Sequence, residues 1–383
     1  MEEFFSNFTA IFTNVLELKW QMVVMWIIGG LLIWLAISKN MEPSLLLPMG
    51  FGAILVNLPL SGAITQVING NTEEGILDVL YKAGIANELF PLLLFIGIGA
   101  MIDFGPLLTN PKMLLFGAAA QFGIFFTISL AALLGFDLRD AASIGIIGAA
   151  DGPTSIFVAN YFDSNYIGPI VVAAYSYMAL VPIIQPPVIR MCTTRKERLI
   201  KMPYEQKNVN KIIRILFPIV TTAIVGIIAP RSVALVGFLM FGNLLRECGV
   251  LSSLSKTAQN ELVNIITIFL GLTIASGMTY NKFLTVETLA IIALGLLAFV
   301  MDTVGGVMFA KLMNLFSKKK INPMVGAAGI SAFPMSSRVI NKMAIKEDPT
   351  NFLLMHAAGA NVAGQIASVV AGGIVISLIE KLI

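Results

Sequence analysis

Histidine occurs once and cysteine twice in 383 residues, and only 12% of positions are Asp, Glu, Lys or Arg. Two thiols, Cys192 and Cys248, supply neither a disulfide framework nor a metal cluster. A lone His356 cannot build a His-rich metal centre. Soluble domains carry about 25% charged residues, and a chain with half that share is not an ordinary globular enzyme. The formal net charge of +3 is too small to point to nucleic acid. A basic start is missing too: Met1-Glu2-Glu3 is acidic, unlike a cleavable signal. Residues 1–19 read instead as an interfacial helix, with Phe4 to Leu18 as its apolar part.

The chain is 57% hydrophobic, with a mean hydropathy of +0.86. Apolar stretches long enough to cross about 30 Å of hydrocarbon fall near 20–37, 43–60, 88–102, 113–135, 166–189, 212–229, 232–247, 260–278, 286–316 and 350–380. Two more, near 140–162 and 322–343, are broken by Gly and Pro. Each reads as a re-entrant hairpin, tolerated at membrane depth only against protein or a watery cavity.

Orientation comes from Arg190, Arg195, Lys196, Arg198, Lys201, Lys207, Lys211 and Arg214. The basic loop 191–211 is cytoplasmic by the positive-inside rule. Two spans later stand Arg246 and Lys256, and two beyond those Lys318-Lys319-Lys320. Counting backwards puts Lys39 and Lys112 inside and Asp137 and Asp140 outside. The count closes only if both broken segments return to the side they entered from.

The chain also resembles itself. Phe51-Gly52-Ala53-Ile54-Leu55 matches Phe241-Gly242-Asn243-Leu244-Leu245, and Phe95-Ile96-Gly97-Ile98-Gly99 matches Phe269-Leu270-Gly271-Leu272-Thr273. Gly148-Ala149-Ala150-Asp151 matches Gly326-Ala327-Ala328-Gly329, and Ala173-Ala174-Tyr175-Ser176-Tyr177 matches Ala357-Ala358-Gly359-Ala360-Asn361. Two repeats, 20–190 and 212–383, each hold about five spans and one hairpin. An odd number of crossings inverts the second repeat. The expected fold is therefore an all-α polytopic membrane protein of inverted repeats, with an elevator-like transporter architecture.

One carboxylate, Asp151, sits within the apolar first hairpin beside Gly152 and Pro153. Keeping it at membrane depth costs at least about 2.5–3.5 kcal/mol, which marks it as part of a cation or proton site. Asp-Gly-Pro-Thr is equally a helix start, and a capping role is compatible with an ionic one. The second hairpin, Asn322 to Arg338, offers small residues for close approach and neutral Asn and Ser oxygens for a hard cation. Arg338 either holds a planar carboxylate through two parallel bonds or snorkels to headgroups. Tyr177 and Asn361 occupy equivalent mid-span places beside the hairpin tips. His356 reads as a satisfied histidine, and Asp302 is a further candidate titrating group beside the span-end residue Asp103.

Gly145-Ile146-Ile147-Gly148-Ala149-Ala150-Asp151-Gly152-Pro153-Thr154, Ala173 to Pro182, Gln185-Pro186-Pro187, Phe241-Gly242-Asn243-Leu244, the second hairpin and Asn351 to Ala357 closely resemble the β subunit of sodium-pumping biotin-dependent decarboxylases. The resemblance implies decarboxylation of carboxybiotin brought by a partner, coupled to sodium export and uptake of an external proton. It implies that Asp151 binds sodium or the consumed proton with Tyr177 beside it. It further implies that Asn322, Gly326, Ser331, Arg338 and Asn361 serve sodium or the carboxybiotin head. Arg338 would act with Asp151 and Tyr177 in catalysis. Expected partners are a carboxyltransferase α subunit, a biotin carrier protein and a small single-span subunit, within a bacterial inner-membrane complex holding several copies of this chain. No Ala-Met-Lys-Met biotinylation site occurs, so biotin arrives on another polypeptide. The polar connection around 63–87 is short, which favours the methylmalonyl-CoA or glutaconyl-CoA type over the oxaloacetate type. A sodium-coupled transporter of an organic acid and a proton/sodium exchanger are the rival readings.

Overall fold

The computed structural model describes residues 17–39, 43–68, 71–203 and 209–383. The expected interfacial helix over 1–19 lies almost wholly outside them. Among the described residues, seven helices are long and apolar enough to cross a membrane. The principal helices are α1 (Trp20–Lys39), α2 (Pro43–Val56), α3 (Ile76–Gly84), α4 (Leu89–Met101), α5 (Leu114–Ala119), α6 (Phe122–Leu133), α7 (Leu138–Gly145), α8 (Gly152–Tyr161), α9 (Ile167–Cys192), α10 (Lys211–Ile228), α11 (Val233–Glu247), α12 (Val263–Ile274), α13 (Val286–Phe316), α14 (Met324–Ala327), α15 (Met335–Glu347) and α16 (Leu354–Leu382).

Three expected spans take other forms. The stretch at 43–60 stops being helical at Val56. The one at 88–102 is α4, only 13 residues long, which starts after Glu88 at φ 65°. The stretch at 232–247 becomes α11, whose 15 residues rise only about 22 Å before Gly249 at φ 76°.

The chain divides into two compact units. One comprises Met1–Phe90 and Asn264–Leu289. Within it, the buried Asn57 side chain donates to Ala53 O and Met278 O, each at 2.8 Å, and accepts from Tyr280 N at 2.8 Å. A polar group inside an apolar core needs such full use of its donors and acceptor. The same unit carries a small antiparallel ribbon, β1 (Gln66–Ile68) with β2 (Asn71–Glu73), paired Gln66 to Glu73.

The other unit, Pro91–Val263 and Ala290–Ile383, is organised on α16. Its polar residues are not turned to the outside: Asn361, Gln365 and Ser368 are buried along with Ala357, Gly364 and Val375. Buried over most of its length and on most sides, it is a central element. Its 29 residues span about 43 Å.

The two broken segments approach α16 from its opposite ends. The first consists of α7, a short 3-10 turn over Ile146–Ala149, and α8. Its outer ends are closed by Ser164 Oγ donating to Asp140 Oδ1 at 2.6 Å, and the Tyr161 hydroxyl donates to Glu380 near the C-terminal end of α16. The second consists of α14, an irregular stretch over 328–334, and α15, running four residues past the expected limit of 343. Its root lies at the N-terminal end of α16, where Asn322 and Asn351 both donate to Arg198 O and Ile200 O. The breaks of the two segments meet: Ser331 N donates to Ala149 O at 3.3 Å, and Ser331 Oγ donates to the same oxygen.

Candidate functional site: an acidic pocket at the meeting of two helix breaks

The local sequence explains the first break. Ala150 adopts a left-handed conformation, φ 51° and ψ 41°, which ends the preceding turn. Asp151 is extended, φ −130° and ψ 98°, and occupies the cap position of α8 with Pro153 in the first turn. Proline suits that turn because its fixed φ is helical and its missing N–H would have no intrahelical partner. Every residue from Gly152 to Ala159 is buried, so α8 opens inside protein rather than at a surface.

Asp151 is 3% exposed. Its Oδ2 accepts from Thr154 Oγ1 at 2.6 Å and from Ser368 Oγ at 3.2 Å. Hydroxyl donors of this kind stabilise a buried carboxylate without neutralising it. Ser368 also reaches Gln365 O at 3.0 Å, so the carboxylate is held by α8 and the middle of α16.

One face of α16 completes the pocket. Residues 361, 365 and 368 fall at i, i+4 and i+7 and therefore line up along the helix. Asn361 Nδ2 donates to Ile330 O at 2.6 Å, and Gln365 Nε2 donates to Ser331 O. Both amides are spent on the second break, leaving Asn361 Oδ1 and Gln365 Oε1 buried with no hydrogen-bond partner. The two amide oxygens are free neutral acceptors on the face of α16 that also carries Ser368, the residue that reaches the Asp151 carboxylate, and neutral oxygens of this kind can serve a hard cation. Among the described residues no group of three or more His, Cys, Asp or Glu could hold a metal ion, so a transition-metal centre has no ligands there.

The expected site residues divide. Asp151, Ser331 and Asn361 come together as described. Gly326 serves close packing: a Cβ there would stand 2.1 Å from Gly306 O on α13. Asn322 is set apart, its amide donating to Arg198 O and Ile200 O and its Oδ1 accepting from Met324 N at 3.1 Å. Arg338 lies on the exposed face of α15. His356 is satisfied, with Nε2 at 3.2 Å from Met202 O.

Tyr177 is not the aromatic beside Asp151. Its hydroxyl donates to Ile292 O, and its ring packs where a Gly295 Cβ would be. Tyr175 takes the expected place. A Cβ on Gly152 would lie 2.0 Å from its Cζ, and its hydroxyl has no partner. Residues two apart on a helix point about 200° apart, so only one of the pair can face the hairpin. Gln365 and Ser368 were also missed. Their i+4 and i+7 spacing from Asn361 was the available signal.

Asp302 is a second fully buried carboxylate. Its Oδ1 accepts from Gly123 N at 2.5 Å, satisfying the exposed start of α6 from a different helix. Its Oδ2 has no partner and lies where a Cβ on Gly148 would reach it at 2.7 Å.

A family model described as the Na+-transporting oxaloacetate decarboxylase beta subunit matches residues 21–379. The chain is 50% identical over 374 residues to methylmalonyl-CoA decarboxylase subunit beta of Propionigenium modestum, covering 93% of this chain and 94% of that one. It is 46% identical over 381 residues to glutaconyl-CoA decarboxylase subunit beta of Acidaminococcus fermentans, covering 99% of each. It is 44% identical over 410 residues to the oxaloacetate decarboxylase beta chain of Klebsiella pneumoniae, covering 93% of this chain and 94% of that one.

Proposed function

The chain belongs to the family of Na+-transporting oxaloacetate decarboxylase beta subunits, and from that membership we propose that it removes CO2 from carboxybiotin and couples the step to sodium export with uptake of an external proton. It is a multi-pass protein of the bacterial membrane. The observation that carries the reading is the buried Asp151 carboxylate at the meeting of the two breaks, held by Ser368 on the face of α16 that also carries the unpartnered oxygens of Asn361 and Gln365.

Asp151 supplies the negative charge for sodium, and Thr154 and Ser368 hold its carboxylate in place. A proton arriving at Asp151 cancels that charge and releases the ion. Carrying one sodium ion against about 100 mV takes about 2.3 kcal/mol, so loss of CO2 must wait for sodium to bind. Arg338 meets the carboxylate of carboxybiotin from the cytoplasmic end. Ser331, hydrogen-bonded to Ala149 O, passes the state of one hairpin to the other. The hairpins' approach from opposite ends of α16 supports inverted repeats and elevator-like alternation of access.

Biotin arrives on a carrier protein, charged by a carboxyltransferase α subunit, with a small single-span subunit completing a complex that contains more than one copy of this chain. Identities of 50% and 46% to the acyl-CoA types against 44% to the oxaloacetate type accompany the short 63–87 connection and support an acyl-CoA substrate.

The test is Asp151→Asn in the reconstituted complex. Sodium-dependent decay of carboxybiotin and sodium uptake into inside-out vesicles should both vanish. Wild-type rates would discard the assignment, and sodium flux from this chain alone, without biotin, would favour an exchanger.

A further inference from the structure

The exposed face of α15 carries a cation at every turn: Arg338, Lys342 and Lys346 stand four residues apart. The opposite face, with Ser336, Ser337, Val339, Ile340, Met343 and Ala344, is buried. None of the three cations forms a side-chain hydrogen bond or ion pair with a described residue. Their neighbours do. Arg198 holds Glu347 at 2.8 Å, Lys201 holds Asp348 at 2.9 Å, and Lys311 holds Glu197 at 3.1 Å. The carboxylates at the foot of α15 are therefore already taken.

This face cannot meet hydrocarbon. Each cation at the bilayer centre costs at least about 2.5–3.5 kcal/mol. Snorkelling rescues a residue close to the headgroups. Arg338 and Lys346, however, are separated by about 12 Å of helix rise, and Arg338 stands one turn from the break that touches Ala149. The same end of the unit carries exposed Arg195, Lys196, Lys201 and Lys318 to Lys320. Successive rungs are about 6 Å apart along the axis. That is shorter than the roughly 8 Å screening length at physiological salt, so their fields overlap.

We propose that this face of α15 lines an aqueous vestibule open to the cytoplasmic end, and that Arg338, Lys342 and Lys346 form a cationic track drawing the carboxylated biotin arm of a carrier protein towards the break at 328–334. The identity of the cargo rests on the function proposed above, whereas the water-filled path does not. Lys342 and Lys346 act on approach, and only Arg338 stands close to the break.

Two measurements test it. In a C192S/C248S background, K342C and K346C in inside-out vesicles should react with membrane-impermeant thiosulfonates. An anionic sulfonate reagent should react about 10-fold faster than a cationic ammonium one. No reaction, or no preference for the anion, overturns the vestibule or the track respectively. In the complete complex, K342E/K346E should raise the half-saturating concentration of carboxylated carrier about 10-fold at low KCl. The difference should close at about 0.5 M KCl, with the maximal rate retained. K342Q/K346Q should fall between, and K342R/K346R should match wild type, which separates charge from folding. An unchanged half-saturating concentration overturns the track, as does an effect that follows the anionic lipid content of the vesicles instead of carrier concentration. If wild-type complex shows no sodium-dependent CO2 loss from carboxylated carrier, the function reading fails while the labelling result stands.

Discussion

Gly152→Ala probes the packing behind Asp151 with one methyl group. A Cβ at this position would lie 2.0 Å from Tyr175 Cζ, 2.2 Å from Cε1 and 2.5 Å from Cε2. Carbon atoms rest at about 3.5–4.0 Å, so the ring or the start of α8 must yield by about 1.5 Å. The ring has little room, since Tyr175 is 2% exposed. Overpacking of this kind costs about 1–3 kcal/mol. Part of the displacement falls on Asp151, the preceding residue, and pulls its carboxylate away from Ser368, already at 3.2 Å. A loss of 1.4 kcal/mol in sodium binding would raise the half-saturating sodium concentration about tenfold. The assay is a double-mutant cycle with Tyr175→Leu, which removes the clashing ring atoms, scored by thermal stability of the purified complex and by sodium dependence of turnover. The double variant should recover at least about 1 kcal/mol relative to the sum of the singles. A Gly152→Ala protein with wild-type stability and sodium dependence would refute the packing and with it the place given to Tyr175.

Gln365→Leu removes an unpartnered oxygen from the proposed sodium site together with the amide that serves Ser331 O, and should raise half-saturating sodium several-fold while the maximal rate at saturating sodium changes less; an unchanged sodium dependence takes Gln365 out of the proposed site. Asn322→Ala should free the 193–203 loop without touching sodium binding, because its amide serves Arg198 O and Ile200 O; faster proteolysis of that loop, at constant sodium affinity, is the expected result. The Lys201 ammonium and the Thr350 hydroxyl beside Asp348 hold its carboxyl down to about 2, below its unfolded value of about 3.9. Its contribution is thus complete above about pH 4 and lost as pH falls towards 2. Lys201→Met should move acid release of the loop to higher pH, read by pepsin cleavage between pH 2 and 4.

Membrane class, most spans and the breaks in the two segments near 140–162 and 322–343 were legible because their signals are local: run length, charge sparsity, and Gly and Pro inside apolar stretches. Asp151 stood out for the same reason, as a single carboxylate inside an otherwise largely apolar run beside Gly152 and Pro153. The exceptions were equally physical. The 43–60 stretch has the hydropathy of a span, yet its helix ends at Val56, and the helices over 88–102 and 232–247 run only 13 and 15 residues, short of the about 20 that a span needs.

Rotation and partnership were not legible. Hydropathy cannot distinguish Tyr175 from Tyr177, because both sit in the same apolar run; the close approach of Gly152 to the Tyr175 ring decides which faces the carboxylate. Asn322 and Asn361 look alike in sequence, but one is consumed by the carbonyls of the 193–203 loop and the other leaves an oxygen free beside the second break. Composition and local pattern determined what kind of chain this is and where its one conspicuous charge lies. Tertiary packing alone decided that Ser368 reaches that charge and that the Asn361 and Gln365 oxygens on the same helix face stay free, since their directions depend on how α16 is turned against two broken segments far away in sequence.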